Sequence, residues 1–345
     1  MNGRTSVRRG GYELDTVTIG LLYLAMRRRK GKRMHFISQT NFVSITFAKI
    51  FLQQVRVMKV GFVNIFGRPN AGKSTLLNAL IGEKLAIVSP KVQTTRHRIK
   101  GFLNSENYQV IFSDTPGIIE PKYKLHEKMM QAVKNSLEDA DIALLLVDAK
   151  DDATEADKIF TTLQLKVPAI VVLNKMETVG SENIEALTGF FNSKPYVKNT
   201  IAVSALRNQN IDLLLNNILD LLPEGEPFYD EEDLTDLPVK FFVGEIIREK
   251  IFELFEDEIP YHTTVSVNEF KEKSGLIKIA ADIVVHRESQ KAIIVGGKGK
   301  MIKQIGIAAR QEIEKFLDSK IFLELFVKVR PKWRDNDVHL KEYGY

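Results

Sequence analysis

Residues 60–81 constrain the fold more than any other stretch. A β-rich apolar run, 60–66, enters Gly67-Arg68-Pro69-Asn70-Ala71-Gly72-Lys73-Ser74, and a helical pattern over 73–81 follows. A GxxxxGKS loop between strand and helix curls its backbone into a nest of N–H donors at the helix start. Lys73 can then reach the β and γ phosphates of a nucleotide, and Ser74 can offer its hydroxyl to Mg²⁺. Gly67, Asn70, Ala71, Gly72, Lys73, Ser74 and Thr75 are therefore the expected phosphate-binding residues. A plain glycine turn capping a helix would explain neither Lys73 nor Ser74.

At 345 residues the chain is long enough for about two domains, and its 44% hydrophobic and 27% charged content is that of a globular protein. Four further apolar runs, 108–113, 142–147, 169–173 and 200–203, alternate with helical patterns such as 125–137 and 211–222. This alternation predicts an α/β domain over 58–222, a mostly parallel sheet with helices on both faces. The Pro- and acid-rich stretch 223–238 reads as a linker. A small α+β unit is expected over 239–337, and a tail over 338–345.

Three loops that follow strands carry further chemistry. Asp114-Thr115-Pro116-Gly117 follows the second run, where Asp114 can hold a Mg²⁺-bound water and the Gly117 N–H can reach a γ phosphate. Asn174-Lys175-Met176-Glu177 follows the fourth, and Ser204-Ala205-Leu206 the fifth. Each is weak alone, but their order along the carboxyl edge of one sheet predicts a purine site, with GTP preferred over ATP. Glu177 stands where a guanine-reading aspartate is usual. Thr94 and Thr95, in Gln93-Thr94-Thr95-Arg96-His97-Arg98, suit a switch loop in which one hydroxyl completes a Mg²⁺ shell. Lys73, Thr94, Thr95 and Gly117 are the expected catalytic set, and Ser74, Thr95 and Asp114 the expected Mg²⁺ residues. Ile118 can neither orient water nor accept a proton, and His97 and His126 read as ordinary solvated histidines before they read as bases.

In the second unit, Gly296-Gly297-Lys298-Gly299 sits between an expected strand ending at Val295 and an amphipathic helix whose stripe is Ile302, Ile305, Ala309, Ile313 and Phe316. That loop fits the GxxG of KH domains, where glycines admit a nucleic-acid backbone and Lys298, Lys300 and Lys303 add charge. Lys328, Arg330, Lys332 and Arg334 form a basic cluster that could contact phosphates, around Trp333, which is expected either to stack on a base or to pack the domain end.

Charge is uneven. Residues 1–57 hold eleven Lys and Arg against Glu13 and Asp15, so the remainder is net negative although the whole chain is +5. The apolar run 17–26 precedes its basic cluster and is too short to span a bilayer, which is wrong for a secretory signal. An organelle transit peptide and a plain extension upstream of Met58 both fit the segment. No cysteine is present, which removes disulfides and thiolate chemistry.

Taken in order, the GRPNAGKS loop, Gln-Thr-Thr-Arg-His-Arg, Asp-Thr-Pro-Gly, Val-Gly-Gly-Lys-Gly and Trp-Arg-Asp-Asn closely resemble the Era family of bacterial ribosome-assembly GTPases over about residues 58–337. The resemblance implies a P-loop GTPase domain with a type II-like KH domain and a GTP/GDP cycle with Mg²⁺. It implies a cytoplasmic monomer that binds the 3′ end of small-subunit rRNA, assists 30S maturation and associates peripherally with the membrane. It also implies K⁺ held beside the phosphates by Asn70, as in related GTPases, in place of the missing glutamine. A nucleotide-holding RNA scaffold with little turnover and a large-subunit GTPase are the two rival readings.

Overall fold

The computed structural model describes residues 58–273 and 275–345. The basic extension 1–57 and the readings made on it lie outside the described residues. Everything described falls in one compact unit, Arg56–Tyr345.

The first sheet runs β2-β3-β1-β4-β5-β6, from β1 (Met58–Gly67), β2 (Ile99–Asn104), β3 (Tyr108–Asp114), β4 (Ile142–Asp148), β5 (Ala169–Asn174) and β6 (Val197–Ala202). The pairings along this order are parallel except β2 with β3. Helices α1 (Lys73–Ile81), α2 (Lys124–Glu138), α3 (Ala153–Thr162), α4 (Ser181–Asn192) and α5 (Ile211–Leu221) connect the strands. Both faces are covered, so β4 is apolar at every position from Ile142 to Val147. In β4, Ile142, Leu144 and Leu146 enter one core while Ala143, Leu145 and Val147 enter the other.

Strand β2 is not among the apolar runs expected from sequence. Lys100, Gly101 and Asn104 break its pattern, yet it pairs with β3 from Ile99↔Asp114 to Asn104↔Gln109. The stretch 223–238 is likewise more than a spacer, because it straps this edge of the sheet. A short strand β7 (Glu224–Gly225) pairs with the start of β1. The Gln109 amide then accepts from the N–H groups of Phe228 (2.7 Å) and Tyr229 (3.0 Å). The Tyr229 ring stacks on Phe102 at 3.9 Å, and the Phe102 N–H donates to the Leu234 carbonyl at 2.9 Å. Covering β2 in this way removes an edge open to foreign strands.

The second sheet, β10-β9-β8, comprises β8 (Thr264–Lys273), β9 (Leu276–Val285) and β10 (Ile321–Val329). Helices α6 (Val239–Leu254), α7 (Ile259–His262), α8 (Glu288–Val295) and α9 (Lys300–Leu317) accompany it. Ile279, Ala281 and Ile283 of β9 meet Val243, Ile247 and Ile251 of α6 and Ile305, Ala309 and Ile313 of α9 in one core. Residues 293–295 close helix α8 and are not a strand. The β-branched trio favours a strand locally, but the Gln290 side chain accepts from the His286 and Arg287 N–H groups (both 3.0 Å) and starts a helix upstream that runs through them. The expected tail also folds. Helix α10 (Asp337–Glu342) leads into Tyr343 and Tyr345, which pack with Trp333 and Leu340 against Leu125 and Met129 of α2.

Candidate functional site

The phosphate loop turns from β1 into α1. Its left-handed positions are Asn70 (φ 64°) and Gly72 (φ 95°). A Cβ on Gly72 would lie 2.3 Å from the Asn174 amide nitrogen, so glycine is needed there both for its backbone angle and for the close approach. Helix α1 begins at Lys73 with no side-chain cap and no acid in its first turn, leaving its start electropositive. The Lys73 ammonium is buried and donates to the carbonyls of Gly67 (3.2 Å) and Arg68 (2.9 Å). Burial lowers its pKa to about 8 against the opposing pull of the Asp114 carboxylate. A phosphate arriving here meets a cation short of charge partners.

Ser74, Thr95 and Asp114 come together from three elements. The Ser74 hydroxyl lies 2.8 Å from that of Thr95 and 2.6 Å from Asp114 Oδ2, which is 3.0 Å from Thr95. Three oxygen–oxygen contacts are thus served by two hydroxyl protons. Asp114 Oδ1 is buried with no partner, and burial raises the carboxyl's pKa despite Lys73 and the two hydroxyls. An all-oxygen cluster with an orphaned carboxylate oxygen fits a hard divalent cation such as Mg²⁺. Thr95 turns its hydroxyl to this cluster, while Thr94 presents its backbone carbonyl to Arg248 of α6 at 2.5 Å.

The expected base-binding residues lie next to the loop. The Asn174 amide donates to the Ala71 carbonyl (2.9 Å) and accepts from the Ala205 N–H (3.1 Å), tying the phosphate loop to the Ser204–Leu206 turn. Lys175 crosses the loop, donating to the Asn70 carbonyl at 2.7 Å and pairing with Asp148 at 2.6 Å. Glu177 lies in a single helical turn, Met176–Thr178, with Oε2 buried and unpartnered. Ser204 is buried, whereas Leu206 stands 77% exposed at the rim. A cavity of about 320 Å³ runs along the loop, lined by Asn70, Gly72, Lys73, Thr75, Thr95 and Gly117 among others. A Cβ on Gly117 would strike Pro69 at 2.8 Å, so the 114–117 turn is pressed onto the loop.

His97 and His126 are packing residues rather than solvated ones. His97 stacks on Tyr345 at 4.3 Å and meets Phe241 edge-on, while His126 contacts Tyr123 and Gln93. Burial first, then neighbouring arginines, lowers both pKa values to about 4, so both imidazoles are neutral at neutral pH. Of the two roles expected for Trp333, packing is the one the structure shows. Trp333 is 0% exposed, donates its indole N–H to the His262 carbonyl (3.0 Å), and so cannot stack on a base. Arg334 lies over the Tyr123 ring at 4.3 Å, and Lys328 is paired with Asp282 at 2.5 Å.

The loop 296–299 joins two helices. Gly296 (φ 70°) passes so near Met301 that a Cβ would lie 2.6 Å from its Cγ, whereas a Cβ on Gly297 would meet open space. Lys298, Lys300 and Lys303 are exposed around it. Helix α9, like α1, starts with no side-chain cap and no acid in its first turn.

Residues 84–96 hold groups that sequence reading left unassigned. Lys84 pairs with Glu249 (2.7 Å) and Glu312 (2.9 Å), and Lys91 donates to the carbonyls of Phe252 (2.6 Å) and Phe255 (2.5 Å). Arg96 donates to those of Thr263 (2.7 Å), Pro260 (3.0 Å) and Tyr261 (3.3 Å).

A phosphate loop on a mostly parallel sheet, with a hydroxyl-carboxylate cluster beside it and a KH-like unit docked on the adjacent loop, defines a P-loop GTPase with an appended nucleic-acid-binding fold. Comparison with known proteins agrees. A family model described as 50S ribosome-binding GTPase matches residues 62–175, and one described as KH domain matches 258–334. GTPase Era of Geotalea daltonii is 46% identical over 289 residues, 83% of this chain and 97% of its own. Era of Ruminiclostridium cellulolyticum is 45% identical over 290 residues, with the same shares of the two chains. Among solved structures, an Aquifex aeolicus Era variant bound to GDP·AlF4⁻ is 41% identical, with TM-score 0.81, 84% of this chain and 99% of that one. An Era complex with MgGDPNP and nucleotides 1506–1542 of 16S ribosomal RNA is 42% identical, with TM-score 0.79 and the same coverage. The chain belongs to the Era family of GTPases.

Proposed function

We propose that this protein is a GTP-hydrolysing switch that binds the 3′ region of small-subunit rRNA and assists 30S subunit maturation, with a G domain over 58–222 and a KH domain over 239–337. One observation carries the reading: a single compact body presents two helix starts entered through a left-handed glycine, Gly72 and Gly299, with no acid in the first turn and a lysine at the first position, α1 at Lys73 and α9 at Lys300. The first suits the phosphates of a nucleotide and the second those of an RNA backbone. The relative solved with MgGDPNP and a 16S rRNA fragment supports both ligands.

In this reading Ser74, Thr95 and Asp114 would hold Mg²⁺, which would supply neutralisation of phosphate charge when bound. Lys73 and the α1 amides balance the remaining phosphate charge. Asn174, Lys175 and Ala205 frame the base, and the free Glu177 Oε2 accepts from the guanine edge. Ile118 leaves water placement to backbone groups of the 94–95 and 114–117 loops, with K⁺ beside the exposed Asn70 as the added charge. The protein works as a cytoplasmic monomer. Its peripheral membrane contact, implied by the family, needs no spanning segment, and no described helix is long and apolar enough to cross a membrane. The large-subunit alternative is disfavoured: the family model whose description names the 50S subunit covers only 62–175, while the Era relatives extend through the KH region.

The test is phosphate release from GTP with Mg²⁺, in K⁺ and in Na⁺, alongside crosslinking of the Lys298 loop to ribosomal RNA. Lys73→Ala should abolish turnover, and Lys298→Ala should lower the slope of log affinity against log salt by about 0.7 for single-stranded RNA. Retained turnover in the first, or crosslinks confined to large-subunit RNA, would defeat the proposal.

A further inference from the structure

Helix α6 belongs to the KH core through Val243, Ile247 and Ile251, all fully buried and four residues apart. Its other face bears Glu245, Arg248 and Glu249 against residues 84–96. Arg248 is 1% exposed. Its Nε and Nη2 fork onto the Glu245 carboxylate at 2.8 and 2.5 Å, which fixes the plane of the guanidinium. The same Nη2 donates to the Thr94 carbonyl at 2.5 Å. On the same face Glu249 accepts from the Val88 N–H at 3.3 Å.

The Thr94 carbonyl and the Thr95 nitrogen share one planar peptide unit, so holding that carbonyl restricts where the Thr95 Cα can stand. From that Cα the Thr95 hydroxyl reaches Ser74 and Asp114. We infer that Arg248 is a positioning residue for GTP hydrolysis, supplied by the KH side of the molecule: it orients the 94–95 peptide so that the Thr95 hydroxyl stays at the Mg²⁺ cluster. The inference rests on the function proposed above. An arginine is required because a lysine cannot grip Glu245 with two parallel bonds and still serve the carbonyl. Helix α9, which begins at the 296–299 loop, packs on α6 in the same core. The step that orders Thr95 is therefore one shared helix away from the loop proposed to hold RNA.

The experiment uses the full chain with two variants. Arg248→Lys keeps the charge. Arg248→Met combined with Glu245→Gln removes both charges, so no buried carboxylate is left unpaired if the single change fails to fold. GDP affinity, affinity for a non-hydrolysable GTP analogue at graded Mg²⁺, and kcat and KM for GTP are read for each. Loss of a hydrogen bond to a charged group corresponds to about 10- to 100-fold. In the double variant, GDP affinity should stay within about twofold. The Mg²⁺ needed for half-maximal analogue binding should rise and kcat should fall by roughly that 10- to 100-fold factor, with the lysine variant between. Unchanged Mg²⁺ dependence in the double variant overturns the assignment, as does equal loss of GDP and analogue affinity. Absence of turnover in the unsubstituted chain would instead strike the GTPase reading itself.

Discussion

Lys73 links nucleotide binding to pH in a direction the structure sets. Burial holds its pKa near 8 in the free protein, well below the ordinary 10.5. A bound polyphosphate supplies the missing countercharge and raises that pKa again, so the complex holds Lys73 protonated while the free protein sheds the proton above pH 8. Binding must then take up a proton. At pH 8 half of the free molecules carry neutral Lys73, giving an uptake of about 0.5 proton per nucleotide, and at pH 9 about 0.9. The affinity lost to reprotonation grows with the neutral fraction, about twofold at pH 8 and about elevenfold at pH 9, so affinity falls about fivefold between them. The same shift acts on folding with the opposite sign. A lysine with a depressed pKa costs stability below pH 8, and that cost is relieved as pH rises from 8 towards 10.5, so the nucleotide-free fold gains stability where nucleotide affinity drops. Calorimetric titration with a guanine nucleotide in buffers of different ionisation heat gives the proton count directly. Zero uptake at pH 8, or a pH-independent affinity from 7 to 9, would show that Lys73 does not sit in the low-dielectric cradle described above.

Two substitutions separate packing from ligand contact. Gly72→Ala places a methyl group 2.3 Å from the Asn174 amide at a left-handed backbone angle. It should cost at least about 1–2 kcal/mol of stability by chemical denaturation and displace Asn174, lowering guanine-nucleotide affinity; a variant with wild-type affinity would contradict the packing of loop and base pocket. Trp333→Ala removes a fully buried indole and should cost about 3–5 kcal/mol. RNA affinity of the molecules that remain folded should be unchanged, and a stable variant that loses RNA binding would restore the base-stacking role.

What was legible in the sequence is what short stretches of chain encode. The phosphate loop, 114–117, 174–177 and 204–206 each follow a strand, and strand order alone lines them along one edge. Local chemistry is divided where tertiary contacts decide the element. Ile293, Ile294 and Val295 favour a strand but end a helix begun by Gln290, and β2 carries too many polar residues to read as a strand until β3 and the 223–238 strap are seen around it. Arg248 was invisible for another reason. Its pair with Glu245 at i,i+3 resembles an ordinary exposed helix pair, and the Thr94 carbonyl that gives it meaning is 154 residues away. Trp333, read between two roles, is assigned to packing by contacts with Leu125 and Met129 on another element.

The polarity of the contacts around residues 84–96 bears on how a switch of this kind can move. The loop supplies the cations Lys84, Lys91 and Arg96, while the α6–α7 side supplies acceptors, chiefly the backbone carbonyls of Phe252, Phe255, Pro260 and Thr263 and the Glu249 carboxylate. Arg248 reverses the direction once, at the residue before Thr95. A bond to a charged group contributes about 1.5–3 kcal/mol net where the group is buried, as Arg96 and Arg248 are, and less at the half-exposed Lys84, so the cost of parting the loop from α6–α7 is concentrated at the two arginines. The Arg96 and Arg248 bonds are the ones that any displacement of residues 94–96 relative to α6 and α7 has to break. In the switch proposed above, a shift of Thr95 on loss of the γ phosphate would act directly on Arg248 of α6, a helix whose opposite face lies in the KH core.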